Sequence, residues 1–118
     1  MELTELIAAY LKGHGFHACC GFMPQSPDQC IAVYATGLRP RGDDEGSRFQ
    51  IIVRSSPEAD TALAEAAEIS DTLDDFSGIL TIDSPYFQRI MLETGIASLG
   101  ADENGRVSYS INFRAWMC

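Results

Sequence analysis

The run Arg48-Phe49-Gln50-Ile51-Ile52-Val53-Arg54-Ser55-Ser56-Pro57, continuing through Ala59 to Phe76, changes its hydrophobic period partway along, and that change decides the fold. Phe49, Ile51 and Val53 alternate with Gln50 and the two arginines, which is the pattern of a half-buried strand. After Arg54 the period lengthens. Ser55 or Ser56 offers a hydroxyl to the free amides of a helix start, and Pro57 suits the first helical position, where its missing N–H would be unpaired anyway. Ala59, Ala62, Ala66, Ile69, Leu73 and Phe76 then recur at three-four spacing. The spacing predicts one helix over 57–76, with small residues first and large ones last, stopped by Gly78. Burying Ile69, Leu73 and Phe76 would contribute roughly 1.5–3 kcal/mol each.

The opposite face of that helix is acidic: Glu58, Asp60, Glu65, Glu68, Asp71, Asp74 and Asp75. With Asp83, the stretch between Arg54 and Arg89 holds eight acids and no Lys or Arg, so it supplies −8 of the formal −9. A solvated helix face has this composition; so does a surface that repels polyanions or meets a basic partner. Binding of a phosphate backbone there is disfavoured, because that requires clustered Lys and Arg.

Working outward, Leu3, Leu6, Ile7, Tyr10 and Leu11 form a helical stripe, with Lys12 in the last turn and Gly13 as the left-handed stop. His17 to Phe22 reads as a short strand, and Met23 to Asp28, with two prolines, as a turn. Gln29 to Thr36 is nearly apolar on both faces, which predicts a central strand. Gly37 to Ser47 carries three glycines, a proline and mixed charge, the composition of a long mobile loop. Ile79 to Asp83 and Tyr86 to Glu93 read as strands, and Thr94 to Leu99 as either strand continuation or crossover. Asn104-Gly105 supplies the positive φ angles of a tight hairpin. Val107, Tyr109, Ile111, Phe113 and Ala115 alternate with Ser108, Ser110, Asn112 and Arg114 in a last strand that is a candidate sheet edge. The expected architecture is a single α+β domain over 1–118, a mainly antiparallel sheet with two helices packed on one face, in the order α-β-β-β-α-β-β-β.

Size and composition bound the function. At 118 residues the chain can bury a core without staples. Glu2 and Glu5 stand where a signal peptide would be basic, and no apolar run approaches the ~18–20 residues of a membrane span. Four cysteines without an export signal point to reduced thiols in a cytosol. No membrane partner is expected.

Chemistry-bearing clusters are few. His14, His17, Cys19, Cys20 and Cys30 include metal-ligating side chains, but strand alternation sends Cys19 and Cys20 to opposite faces and the spacing matches no zinc knuckle. The expectation is buried structural thiols with no metal and no cofactor; the alternative is a small cytosolic metal-binding protein using His17/Cys19. Asp102-Glu103-Asn104 lacks the rest of a calcium loop. Both histidines lie near the N-terminus, no serine sits in a Gly-x-Ser-x-Gly elbow, and Gly13-His14-Gly15 is too short to cradle a phosphate. The tripeptide Arg41-Gly42-Asp43 matches an adhesion motif only as chance would. No catalytic residues are assigned, and the chain is not expected to be an enzyme. Trp116, on the polar face of the last strand, either lies over the sheet edge or contacts another subunit, where Trp is favoured.

Three stretches together resemble a known family. They are Asp28 to Gly37, Phe49 to Ser55 feeding an alanine-rich helix, and the turn Gly100 to Arg106 followed by Tyr109-Ser110-Ile111-Asn112-Phe113. Their order and spacing are similar to the minor capsid or tail terminator proteins of long-tailed bacteriophages, over nearly the whole chain. The resemblance implies an α+β sheet with two helices and a homohexamer ring that caps the tail tube, ends its polymerisation and joins it to the head-tail connector. It implies as partners the tail tube protein, the connector protein and further copies of the chain, with DNA passing through the bore without sequence-specific binding. An acidic protein suits such a bore, since clustered positive charge would hold the polyanion. The implied location is the virion tail at the head-tail junction, and the host cytoplasm before assembly. A head-completion or connector protein of the same virion is the neighbouring alternative. The residues expected at the oligomer or tail-tube interface are Arg39, Arg41, Asp43, Asp44 and Glu45 in the long loop, with Arg114 and Trp116 at the end of the last strand.

Overall fold

A computed structural model describes residues 2–57 and 61–118; the expected places of Glu58, Ala59 and Asp60 in the helix lie outside the described residues. The elements follow as α1 (Leu3–Gly13), β1 (Ala18–Cys20), β2 (Cys30–Gly37), β3 (Ser47–Arg54), α2 (Ala62–Leu73), β4 (Phe76–Ile79), β5 (Tyr86–Ala101) and β6 (Val107–Met117). They form an α+β fold with one six-stranded sheet in the order β1-β2-β3-β6-β5-β4. The sheet is mixed: β1 pairs with β2 in parallel, and the remaining neighbours are antiparallel.

The alternation in β3 and β6 explains the layers. Phe49 pairs with Phe113 and Ile51 with Ile111 on one face, and Arg48 pairs with Arg114 and Gln50 with Asn112 on the other. The apolar face joins Leu6, Ile7 and Leu11 of α1 and Ala66, Ile69 and Leu73 of α2 in a single core, so both helices cover the same side of the sheet. At its centre the Phe49 and Phe113 rings stack with centroids 5.2 Å apart, a geometry that contributes about 0.5–1.5 kcal/mol beyond burial alone.

The long helix is shorter than its periodicity predicts, at both ends. Ser55 and Pro57 do not start it. Ser55 is fully buried and its N–H donates to Val107 O at 2.9 Å, so the sheet ladder takes the residue that the cap would have used. Thr61 precedes the first helical residue instead. At the other end Asp74 is extended, Asp75 has φ 64°, and Phe76 opens β4, packed against the core from a strand. Gly78 therefore lies within β4 and does not stop the helix. The strand expected at 79–83 is displaced to 76–79, because Phe76, Gly78 and Ile79 find partners on β5. Gly13 is likewise the last residue of α1, and the left-handed residue is Gly15, at φ 90°.

The last strand is not an edge. β6 lies between β3 and β5, whereas the sheet edges are the short β1 and β4. β4 pairs with β5 only from Tyr86 to Ile90, so beyond Ile90 the outer side of β5 has no strand beside it among the described residues. Residues 94–99 continue β5 through a series of register shifts against β6. The molecule measures 43 × 25 × 21 Å along its principal axes.

Candidate assembly surface

Two poles of the sheet carry the polar chemistry. One holds the β2–β3 loop beside the C-terminal end of β6; the other holds the 23–29 segment and the β5–β6 turn.

At the first pole the structure brings together most of the residues expected at an interface. Arg39 Nε lies 3.3 Å from Asp43 Oδ1 and its NH2 lies 3.3 Å from Glu45 Oε2. Asp43 Oδ1 also accepts from the Glu45 N–H; this backbone bond, and then the Arg39 guanidinium, hold the Asp43 carboxyl below the usual carboxylate range. The Trp116 indole N–H donates to Asp44 O at 2.8 Å, and Gly42 N–H donates to Met117 O at 2.8 Å. The loop expected to be mobile is thus folded back on β6, with Trp116 as its anchor. Gly46 makes the approach possible: it is buried at φ 73°, and a Cβ there would meet Ala115 O at 2.8 Å and Trp116 Nε1 at 2.9 Å. Arg41 is exposed, and Arg114 sits with its guanidinium carbon 5.8 Å from the centroid of the Trp116 ring.

Sequence reasoning missed two members of this patch. Glu93 receives Arg114 at 2.7 Å and Arg48 at 3.2 Å, so one carboxylate serves two guanidinium groups across three strands. The signal was available in part, since Arg48 and Arg114 share a face by alternation. Glu93 could not be placed, because a register shift between Leu92 and Thr94 puts it there.

At the second pole two arginines, each nearly inaccessible, organise the 23–28 turn. Arg54 is 5% exposed and donates to Pro24 O, Pro27 O and Asp28 O at 2.7–2.8 Å. Arg106 is 6% exposed, donates to Asp102 Oδ2 at 2.7 Å and to Gln25 O at 2.8 Å, and lies 3.5 Å from Asp28 Oδ1. The Arg106 and Asn104 N–H groups also donate to Asp102 Oδ1. The Arg106 amide and then its guanidinium lower the Asp102 carboxyl below its ordinary range.

Beside this pole lie His17, Cys19 and Cys30, which the structure brings together, while Cys20 packs toward the core. Burial, and next the Cys19 thiol, raise the Cys30 thiol above its usual range. His14 does not join them; its Nδ1 lies 2.9 Å from Tyr10 O.

Comparison with known proteins agrees with this architecture. A solved structure that carries no functional name is similar over 98% of this chain and 89% of its own, with TM-score 0.50 and 13% identity, a likeness of fold alone. No curated protein matches the chain. A sequence profile of the family described as bacteriophage tail terminator protein matches residues 6–116, from within α1 to the end of β6. The chain belongs to the bacteriophage tail terminator protein family, and is a structural protein of the phage tail.

Proposed function

We propose that this chain forms a ring, of six copies, that caps the tail tube, ends its polymerisation and presents a surface to the head-tail connector. The observation that carries the reading is the family match across nearly the full fold. The protein acts by shape and contact rather than by catalysis, and its partners are the tube protein, the connector protein and neighbouring copies.

The loop patch is the contact we assign to tube or neighbour. Arg39, Arg41, Asp43, Asp44 and Glu45 stand on the exposed rim, and Trp116 and Arg114 support them from β6. Their ion pairs are solvent-facing and screened by water, so each adds little to the stability of the lone subunit. A partner can therefore exchange these pairs at small cost. The bore carries DNA without sequence readout: the chain has a formal charge of −9, Arg89 is paired with Asp75, and Arg48 and Arg114 share Glu93.

Replacing Leu38–Asp44 by a short Gly-Ser linker tests this directly. The expected product folds, melts cooperatively, and fails to cap tails, leaving them overlong in complementation of a deletion phage. A shortened protein that restores normal tail length would remove the loop from the interface.

A further inference from the structure

One cluster carries chemistry that tail assembly does not use. His17, immediately before β1, and Cys19, within it, stand two apart and share a face by alternation of the extended chain. Parallel pairing sets Ala18 beside Ile31 and Cys19 beside Ala32, which brings Cys30 to the same face at the start of β2. The ligand atoms of His17, Cys19 and Cys30 all lie within 4.8 Å of one another. It is the one group of three or more His, Cys, Asp or Glu side chains converging this way among the described residues.

These distances suit a soft cation. Zinc bound at about 2.3 Å to sulfur and about 2.0–2.1 Å to imidazole nitrogen holds its donors roughly 3.5–3.8 Å apart in a tetrahedron. Side-chain rotation at the exposed His17 and half-buried Cys19 is enough to close the remaining gap onto Cys30, which is 1% exposed. A cleft of about 380 Å³ opens onto His17 and Cys30 and is also lined by Gln29 and Glu65, whose side chains bond each other at 2.8 Å. The fourth position of a tetrahedron can face this cleft and take a water or a carboxylate oxygen.

We propose that His17, Cys19 and Cys30 bind a thiophilic divalent cation of the zinc type, with the fourth position open to the cleft. Spacing along the chain argues against a zinc knuckle, but the ligands come from two strands, and their meeting is a product of parallel pairing. Each thiol releases its proton to solvent as its sulfur binds the metal. The consequence is structural: β1 is three residues long at a sheet edge, and the metal fastens it and the preceding turn to β2.

Cobalt(II) is the probe, added to the reduced, chelator-treated full chain. The expected result is one cobalt per chain, with thiolate-to-cobalt charge-transfer absorption, ligand-field bands of tetrahedral intensity, and displacement of both by zinc. Cys19→Ser and His17→Gln, at accessible positions where folding is retained, should each weaken cobalt binding by at least about tenfold. Cys20→Ser and Cys118→Ser should leave binding unchanged. Absence of the charge-transfer absorption at stoichiometric cobalt would overturn the proposal, as would its survival in Cys19→Ser. So would air oxidation to a Cys19–Cys30 disulfide in a chain whose reduced form takes up no metal.

Discussion

Arg54 and Arg106 do the work of an absent secondary structure. The 23–28 turn has no strand of its own, and its carbonyls at Pro24, Gln25, Pro27 and Asp28 are satisfied by two guanidinium groups from β3 and the β5–β6 turn. Hydrogen bonds from a charged donor contribute about 1.5–3 kcal/mol each, and a planar fork fits several acceptors that lysine could not. Asp102 positions one of these forks, and its lowered carboxyl has a pH signature. A depressed folded-state value means its contribution is present above the unfolded value near about 3.9 and is lost as pH falls through the lower folded value. The stability gap between the wild-type chain and Asp102→Asn should accordingly narrow below about pH 4, and the amide shifts of Asn104 and Arg106 should titrate with a midpoint below the ordinary aspartate value. A midpoint at or above that value would contradict the assignment. Much also depends on Gly46, at the other pole. Gly46→Ala forces a side chain into left-handed backbone against the Ala115 carbonyl, and should cost roughly 2–4 kcal/mol. Denaturant unfolding followed by Trp116 fluorescence measures it; a change within about 0.5 kcal/mol would mean that the loop yields freely.

At the scale of elements, the sequence was legible where contacts are local and opaque where they are remote. The alternation from Val107 to Ala115 and the stripe of α1 stand as read; of the Asn104-Gly105 pair only Gly105 is left-handed, at φ 77°, because the turn closes over 102–106 with Gly105 N–H donating to Asp102 O. The start of α2 lies later than local spacing predicts because Val107 O, far along the chain, accepts from the Ser55 N–H and holds in the sheet a residue whose hydroxyl a local reading gives to a cap. Phe76 fits a helical stripe by spacing, yet the left-handed Asp75 turns the chain and delivers the same ring to the core from β4. The ambiguity at 94–99 has a physical source too, since register shifts against β6 break the period-two signal. Of the expected interface, the loop and Trp116 were legible as a polar loop and an odd indole; the Asp44 bond between them was not. Among the described residues the outer side of β5 beyond Ile90 has no strand beside it, and a bare strand edge carries a risk of self-pairing. Leu99, 55% exposed, marks its far end. Leu99→Lys should leave monomer stability within about 0.5 kcal/mol while reducing ring formation on tube ends, read as subunits per tail by quantitative mass spectrometry. Unchanged stoichiometry would show that this edge faces solvent in the assembly.

For the whole molecule, a two-layer fold leaves one sheet face without helices, and that face carries Arg48, Gln50, Glu93 and Asn112 in place of a second core. The acidic groups of α2, Glu65, Glu68 and Asp71, lie on the helical side, so charge is divided between the two faces. Such a division would suit the ring proposed above, whose subunits would need distinct surfaces toward different partners. The most direct measurement of the central claim is the tail length of particles assembled in a host from a phage lacking this chain. Our account predicts tubes that run past their normal length and carry no heads, restored to normal by the wild-type protein. Tails of normal length beside unfilled or leaking heads would contradict it and assign the chain to the connector instead.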